Sequence, residues 1–195
     1  MPETISFENC FLFLSPKKTV SLRWQDQASS APFSSFGAFR VMAKYYAGIG
    51  SRATPPYVLE MMTDLAKTYR EEGYILRSGG ARGADSAFEK GAGDQKEIFL
   101  PWKRFMEHPS PFFTPTKEAW RLAPKFHPAW DRLTRPAKLL HARNVHQILG
   151  RDLKTPVEFV SCWTPGGALI GGTATAIRIA NAYDIRVINL GVTNP

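Results

Sequence analysis

The sequence has only two cysteines, Cys10 and Cys162, so no disulfide framework holds it together. Cys162 lies in an apolar run and reads as a small core residue. Long hydrophobic runs are also missing. The run Phe11-Leu12-Phe13-Leu14 falls far short of the roughly 20 residues that span a bilayer, and no basic leader with a small-residue cleavage site surrounds it. No membrane partner is expected, and the expected location is cytoplasmic. Histidine is scarce: four residues, His108, His127, His141 and His146. His141 and His146 are five apart, which puts them on different helix faces, and no cysteine lies nearby. No metal or other cofactor is expected. No Ser-His-Asp site can be argued, because a triad is recognised by geometry. No internal repeat or linker divides the core.

What is present is a globular composition. The 195 residues are 44% hydrophobic and 22% charged, enough for one domain with a real core. The net charge is +8, which suits an acidic partner such as nucleic acid or a phosphorylated ligand. The charge is uneven. Between Trp102 and Arg143 nine Lys or Arg face only Glu107, Glu118 and Asp131. Trp102, Trp120, Trp130, Phe105, Phe112, Phe113 and Phe126 interleave with them. A cationic track with aromatics binds single strands by stacking. The other reading is a lid whose aromatics pack on the sheet while its charges face water. Packing suits the tryptophans better, since exposed tryptophan is unusual in a water-soluble domain. For the charges both readings stay open.

Residues 1–41 do not resemble the rest. Ala28 to Phe39 is rich in Ser, Ala and Phe without periodicity, which reads as a poorly ordered extension. Met42-Ala43-Lys44 is a natural start for a domain over 42–195. From there the pattern is regular. Strands are expected at 44–49, 74–77, 97–100, 157–163 and 185–190. Helices are expected at 55–72, 85–91, 135–149 and 172–182. Pro55 and Pro56 suit a first helical turn, Gly73 and Gly150 suit helix stops, and Pro101 stops the third strand. Six of the fifteen prolines lie between 102 and 136, so long elements are not expected there. This alternation predicts an α/β fold: a Rossmann-like, doubly wound parallel sheet of about five strands with helices on both faces.

Three glycine-rich turns each follow a strand and open onto a helix. They are Gly48-Ile49-Gly50-Ser51-Arg52, Ser78-Gly79-Gly80-Ala81-Arg82-Gly83-Ala84-Asp85, and Pro165-Gly166-Gly167-Ala168-Leu169-Ile170-Gly171-Gly172-Thr173. In a parallel sheet such turns share the carboxyl edge, where ligands bind. Glycine lets backbone approach a ligand, and the helix N-terminus favours an anion. Arg82 adds a forked charge that suits phosphate. Glycines that serve packing alone are the bland alternative for any one turn.

These residues resemble the DprA/Smf–LOG superfamily, or SLOG domains, over about 44–190. The Ser78 to Asp85 turn is similar to the superfamily's Ser-Gly-x-Ala-x-Gly-x-Asp turn. Gly50-Ser51-Arg52 resembles its early Gly-Ser-Arg turn, Arg143-Asn144 its Arg-Asn pair, and Gly171-Gly172-Thr173 its late glycine turn. The resemblance implies a small single-domain DprA-like protein of the sort found in phages and bacteria. It implies nucleotide or phosphate binding by Gly50, Ser51, Arg52, Ser78, Gly79, Gly80, Ala81, Arg82, Gly83, Asp85, Arg143, Asn144, Gly166, Gly167, Gly171, Gly172 and Thr173. LOG enzymes place a glutamate closely after Gly-Thr; here Ala174, Thr175, Ala176 and Ile177 follow. Without that acid a binder is expected rather than a nucleotide N-glycosidase, unless Asp85 or Glu89 replaces it. The expected partner is single-stranded nucleic acid contacted by Arg52, Arg82 and Arg143, or a small phosphorylated nucleotide with its base near Trp163. Self-association stays open.

Overall fold

The computed structural model of the protein describes residues 43–192, so the extension expected over 1–41 lies outside the described residues. Five strands form one sheet: β1 (Lys44–Gly50), β2 (Tyr74–Ser78), β3 (Lys96–Ile98), β4 (Phe159–Trp163) and β5 (Arg186–Asn189). All pairings are parallel, in the order β3-β2-β1-β4-β5. The helices are α1 (Pro56–Glu71), α2 (Ala84–Ala92), α3 (Lys117–Leu122), α4 (Arg135–Leu149) and α5 (Gly171–Ala182). The fold is the expected Rossmann-like α/β sheet.

Alternation along β1 builds the two faces. Tyr46 is fully buried among Val58, Met62 and Ala66 of α1 and Phe88 of α2. Ala47 and Ile49 belong to the opposite core, with Val145 and Ile148 of α4 and Ile179 of α5. Cys162 of β4 sits in that second core, fully buried, and burial pushes its thiol up to about 12. It is a packing residue there.

Several strand boundaries shift by one residue from expectation, and two shift by two. The third strand ends at Ile98; Leu100 makes only an isolated bridge with Phe113 before the chain turns away at Pro101. The fourth strand starts at Phe159 because the Val157 N–H donates to Ile148 at the end of α4. Segment 102–134 holds α3 and single helical turns. Trp120, Phe126 and Trp130 pack against the α4–α5 core, with Trp120 and Trp130 edge to face at 5.7 Å. Those three aromatics behave as the lid reading requires. No described helix is long and apolar enough to cross a membrane.

β1 and β4 are adjacent, and the chain leaves them toward opposite halves of the sheet. Such a switch point leaves a crevice outside the carboxyl ends of the strands.

Candidate functional site

A cavity of about 450 Å³ fills that crevice. Its floor is the end of β1, its walls are α4 and the start of α5, and its rim is the loop after β4. Of the residues expected from the sequence, Gly50, Ser51, Arg52, Ala81, Asp85, Arg143, Asn144, Gly171, Gly172 and Thr173 line it. Ser78, Gly79, Gly80, Arg82, Gly83, Gly166 and Gly167 do not.

Several of the second group make packing or hydrogen-bond contacts inside the fold. The Ser78 hydroxyl is buried and donates to the Gly48 carbonyl at 2.6 Å, which stitches β2 to β1. At Gly79 a β-carbon would collide with the guanidinium of Arg143, and at Gly83 it would meet the Ser51 carbonyl at 2.7 Å. Gly80 packs on Leu100 and Ile98. At each of these three glycines a side chain would be crowded by the fold itself. Arg82 is exposed and outside the cavity. Trp163, expected near a base, is half-buried against the α1–α2 core and does not line the cavity.

A buried polar network forms one wall. Arg143 Nη1 lies 3.5 Å from Asp85 Oδ2, and both side chains are almost wholly buried. Asp85 Oδ2 also accepts from the Ala81 N–H at 3.4 Å. In the orientation its neighbours demand, the Gln147 amide oxygen accepts from Arg143 Nη1 at 2.9 Å and from the Gly79 N–H at 3.0 Å. The Gln147 nitrogen then donates to Asn144 Oδ1 at 2.9 Å, and Asn144 Nδ2 donates to the Gly172 carbonyl at 2.9 Å. One face of α4 thus ties the turn after β2 to the start of α5. Burial pushes the Asp85 carboxyl up, opposed by the Arg143 charge, and pushes the Arg143 guanidinium down, opposed by Asp85. Each is the other's counter-charge, so Arg143 brings little free charge to a ligand.

The α5 N-terminus is the open donor group. Ile170 precedes it without a side-chain cap, and Gly171 and Gly172 face open space. Uncapped N–H groups and the helix dipole favour an anion there. Arg52, exposed at the rim, supplies a cation.

Several lining residues were not expected from the glycine and arginine signals, among them Ala137, Leu140, His141 and Gln147. Their signal is periodicity, since Ala137, Leu140, His141, Asn144 and Gln147 recur at three or four residues on α4. His141 Nδ1 lies 2.9 Å from Thr175 Oγ1 of α5, and burial lowers its pKa to about 4. The other histidines are held by backbone or carboxylate. His146 Nε2 accepts from the Thr116 N–H while its other nitrogen meets the Gly150 carbonyl. His127 Nδ1 accepts from Ala129, and His108 pairs with Glu89 at 2.9 Å. Glu89, weighed as a replacement acid, is also bonded to Lys96 at 3.0 Å and lies outside the cavity. Burial would raise its pKa, but His108 and Lys96 win and hold it low.

No family model and no curated protein matches this chain. Among solved structures it is similar to DNA processing protein A from Helicobacter pylori, a structure described for its single-stranded DNA binding mode. The identity is 20%, the TM-score 0.49, and the match covers 75% of this chain and 64% of that one. The chain thus spans less than two thirds of that protein's length. It is also similar to the Moco carrier protein of Chlamydomonas rheinhardtii, at 18% identity and a TM-score of 0.46, covering 76% of each chain.

Proposed function

We propose that the switch-point cavity binds a phosphorylated nucleotide, with a phosphate on the N-terminus of α5. The observation that carries this reading is the uncapped start of α5, opening into a cavity whose rim holds Arg52. Two further features support it. The volume of about 450 Å³ falls within the roughly 300–1,000 Å³ of small-ligand sites. The cavity is polar along Ser51, Arg52, Asp85 and the start of α5 and apolar along Ala137, Leu140 and Ile170, which suits a ligand with an anionic and a flat apolar end. The motif resemblance to the DprA–LOG superfamily agrees with this reading.

A single strand of DNA is the second reading, favoured by the exposed Arg52 and Arg82 and by the basic composition of segment 102–143. The packed Trp120 and Trp130 weigh against a stacking track. Calorimetry at low salt separates the two. Saturable binding of nucleoside monophosphates that survives an excess of single-stranded DNA is expected. Binding of DNA alone, weakening steeply with salt, would replace the nucleotide reading. No binding of either would remove both.

A further inference from the structure

His141 is the polar side chain in the cavity's otherwise apolar wall of Ala137, Leu140, Ile170 and Ala176. It is 8% exposed. Its Nδ1 is turned onto Thr175 Oγ1, and its Nε2 has no protein partner among the described residues. Thr175 is fully buried, and its hydroxyl has this one hydrogen-bond partner. A buried hydroxyl proton needs an acceptor, so Oγ1–H donates to Nδ1. The neutral ring then carries its proton on Nε2, which becomes a donor. The charged and titratable groups that face the ring are His127, Arg143 and Arg178, and they oppose its protonation. The ring therefore stays neutral, in one tautomer, over the physiological range.

We propose that His141 is the specificity-determining residue of this cavity: its fixed Nε2–H favours a base that turns a carbonyl toward it at the ring position where uracil and hypoxanthine carry oxygen and cytosine and adenine carry an amino group. This rests on the nucleotide reading above. With a phosphate on the start of α5, the apolar wall that contains His141 is left for the base. A donor that cannot turn into an acceptor matches a carbonyl oxygen and repels an amino group, which leaves both donors unpaired. Thr175 is a positioning residue, because it fixes the tautomer without lining the cavity.

The experiment is calorimetry on the wild-type protein with two pairs of probes, UMP against CMP and IMP against AMP. The carbonyl member of each pair is expected to bind about tenfold more tightly, the worth of one good hydrogen bond. Thr175→Val should bring that ratio close to one, since both tautomers become available, while affinity for inorganic phosphate stays unchanged. Equal binding of UMP and CMP, and of IMP and AMP, overturns the proposal and leaves the nucleotide reading standing. A ratio that survives Thr175→Val also overturns it. If none of the four nucleotides binds, the nucleotide reading fails and this proposal with it.

Discussion

A β-carbon on residue 79 would fall on the Nη1 atom of Arg143. The two positions are 64 residues apart in the chain, yet the glycine exists for the arginine. Gly79 opens the turn after β2, and Arg143 reaches it from the middle of α4. The space left by the missing side chain lets the guanidinium meet Asp85 and Gln147. Gly79→Ala should therefore push the buried guanidinium off its partners. Overpacking and a broken pair together predict a loss of roughly 2–4 kcal/mol. Urea denaturation measures it. Gly172→Ala is the contrast, because a β-carbon there meets nothing within 4 Å. It should change stability by no more than about 0.5 kcal/mol.

The Asp85–Arg143 pair makes a second prediction. Asp85→Asn keeps the shape and removes the charge, leaving a buried guanidinium without its counter-charge. The expected cost is about 3–5 kcal/mol. Replacing both groups by apolar ones, Asp85→Leu with Arg143→Met, removes the stranded charge and should recover most of that loss. A double mutant no more stable than Asp85→Asn would show that the pair is not what matters at this wall. Denaturant midpoints of wild type, single and double variants decide it.

Acid should destabilise the fold through His141. Burial and the neighbouring cations hold its folded pKa at about 4, against 6.5 for an ordinary histidine. Between those values the unfolded chain binds more protons than the folded one. The stability is fully present above pH 6.5 and is lost as the pH falls toward 4. A contribution of about 3 kcal/mol is expected over that window. His146, also lowered by burial, acts in the same direction. In His141→Phe the slope of unfolding free energy against pH should flatten between pH 6.5 and 4.5. An unchanged slope would mean that His141 does not supply it.

The sheet was legible because its strands are separated by unambiguous punctuation. Gly73 after the apolar stripe of α1, Pro101 after β3 and Gly150 after α4 each ended an element near where local chemistry requires. The strand ends slipped where tertiary bonds decide, as at Val157, whose N–H is taken by Ile148. At the cavity, Arg52 and the Gly171–Thr173 turn line the wall where their position after a strand or before a helix places them, which is a local matter. Arg143 lines the cavity as expected, but its place as half of a buried pair was not legible, since its partner comes from another helix. Gly79 and Gly83 looked like ligand glycines for the same reason. Sequence shows that a side chain is missing and cannot show what fills the space.

Arg52 and Arg82 look equivalent in sequence, each an arginine in a glycine turn at the same sheet edge. The structure separates them. Both are exposed, but Arg52 lines the cavity at the start of α5 and Arg82 does not. Neither has a buried partner to lose, so each change to alanine should leave stability within about 0.5 kcal/mol. Their effects on binding should differ. On the nucleotide reading Arg52→Ala would remove a charge-assisted contact to phosphate, which predicts a loss of roughly 1.5–3 kcal/mol, a tenfold or greater drop in affinity for UMP. Arg82→Ala should leave that affinity within about twofold, because a solvated charge outside the cavity is screened over roughly 10 Å at moderate salt. The measurement is paired: melting temperature and calorimetric affinity for both variants against wild type. Lost binding in Arg82→Ala with intact binding in Arg52→Ala would move the phosphate from the start of α5 to the turn after β2.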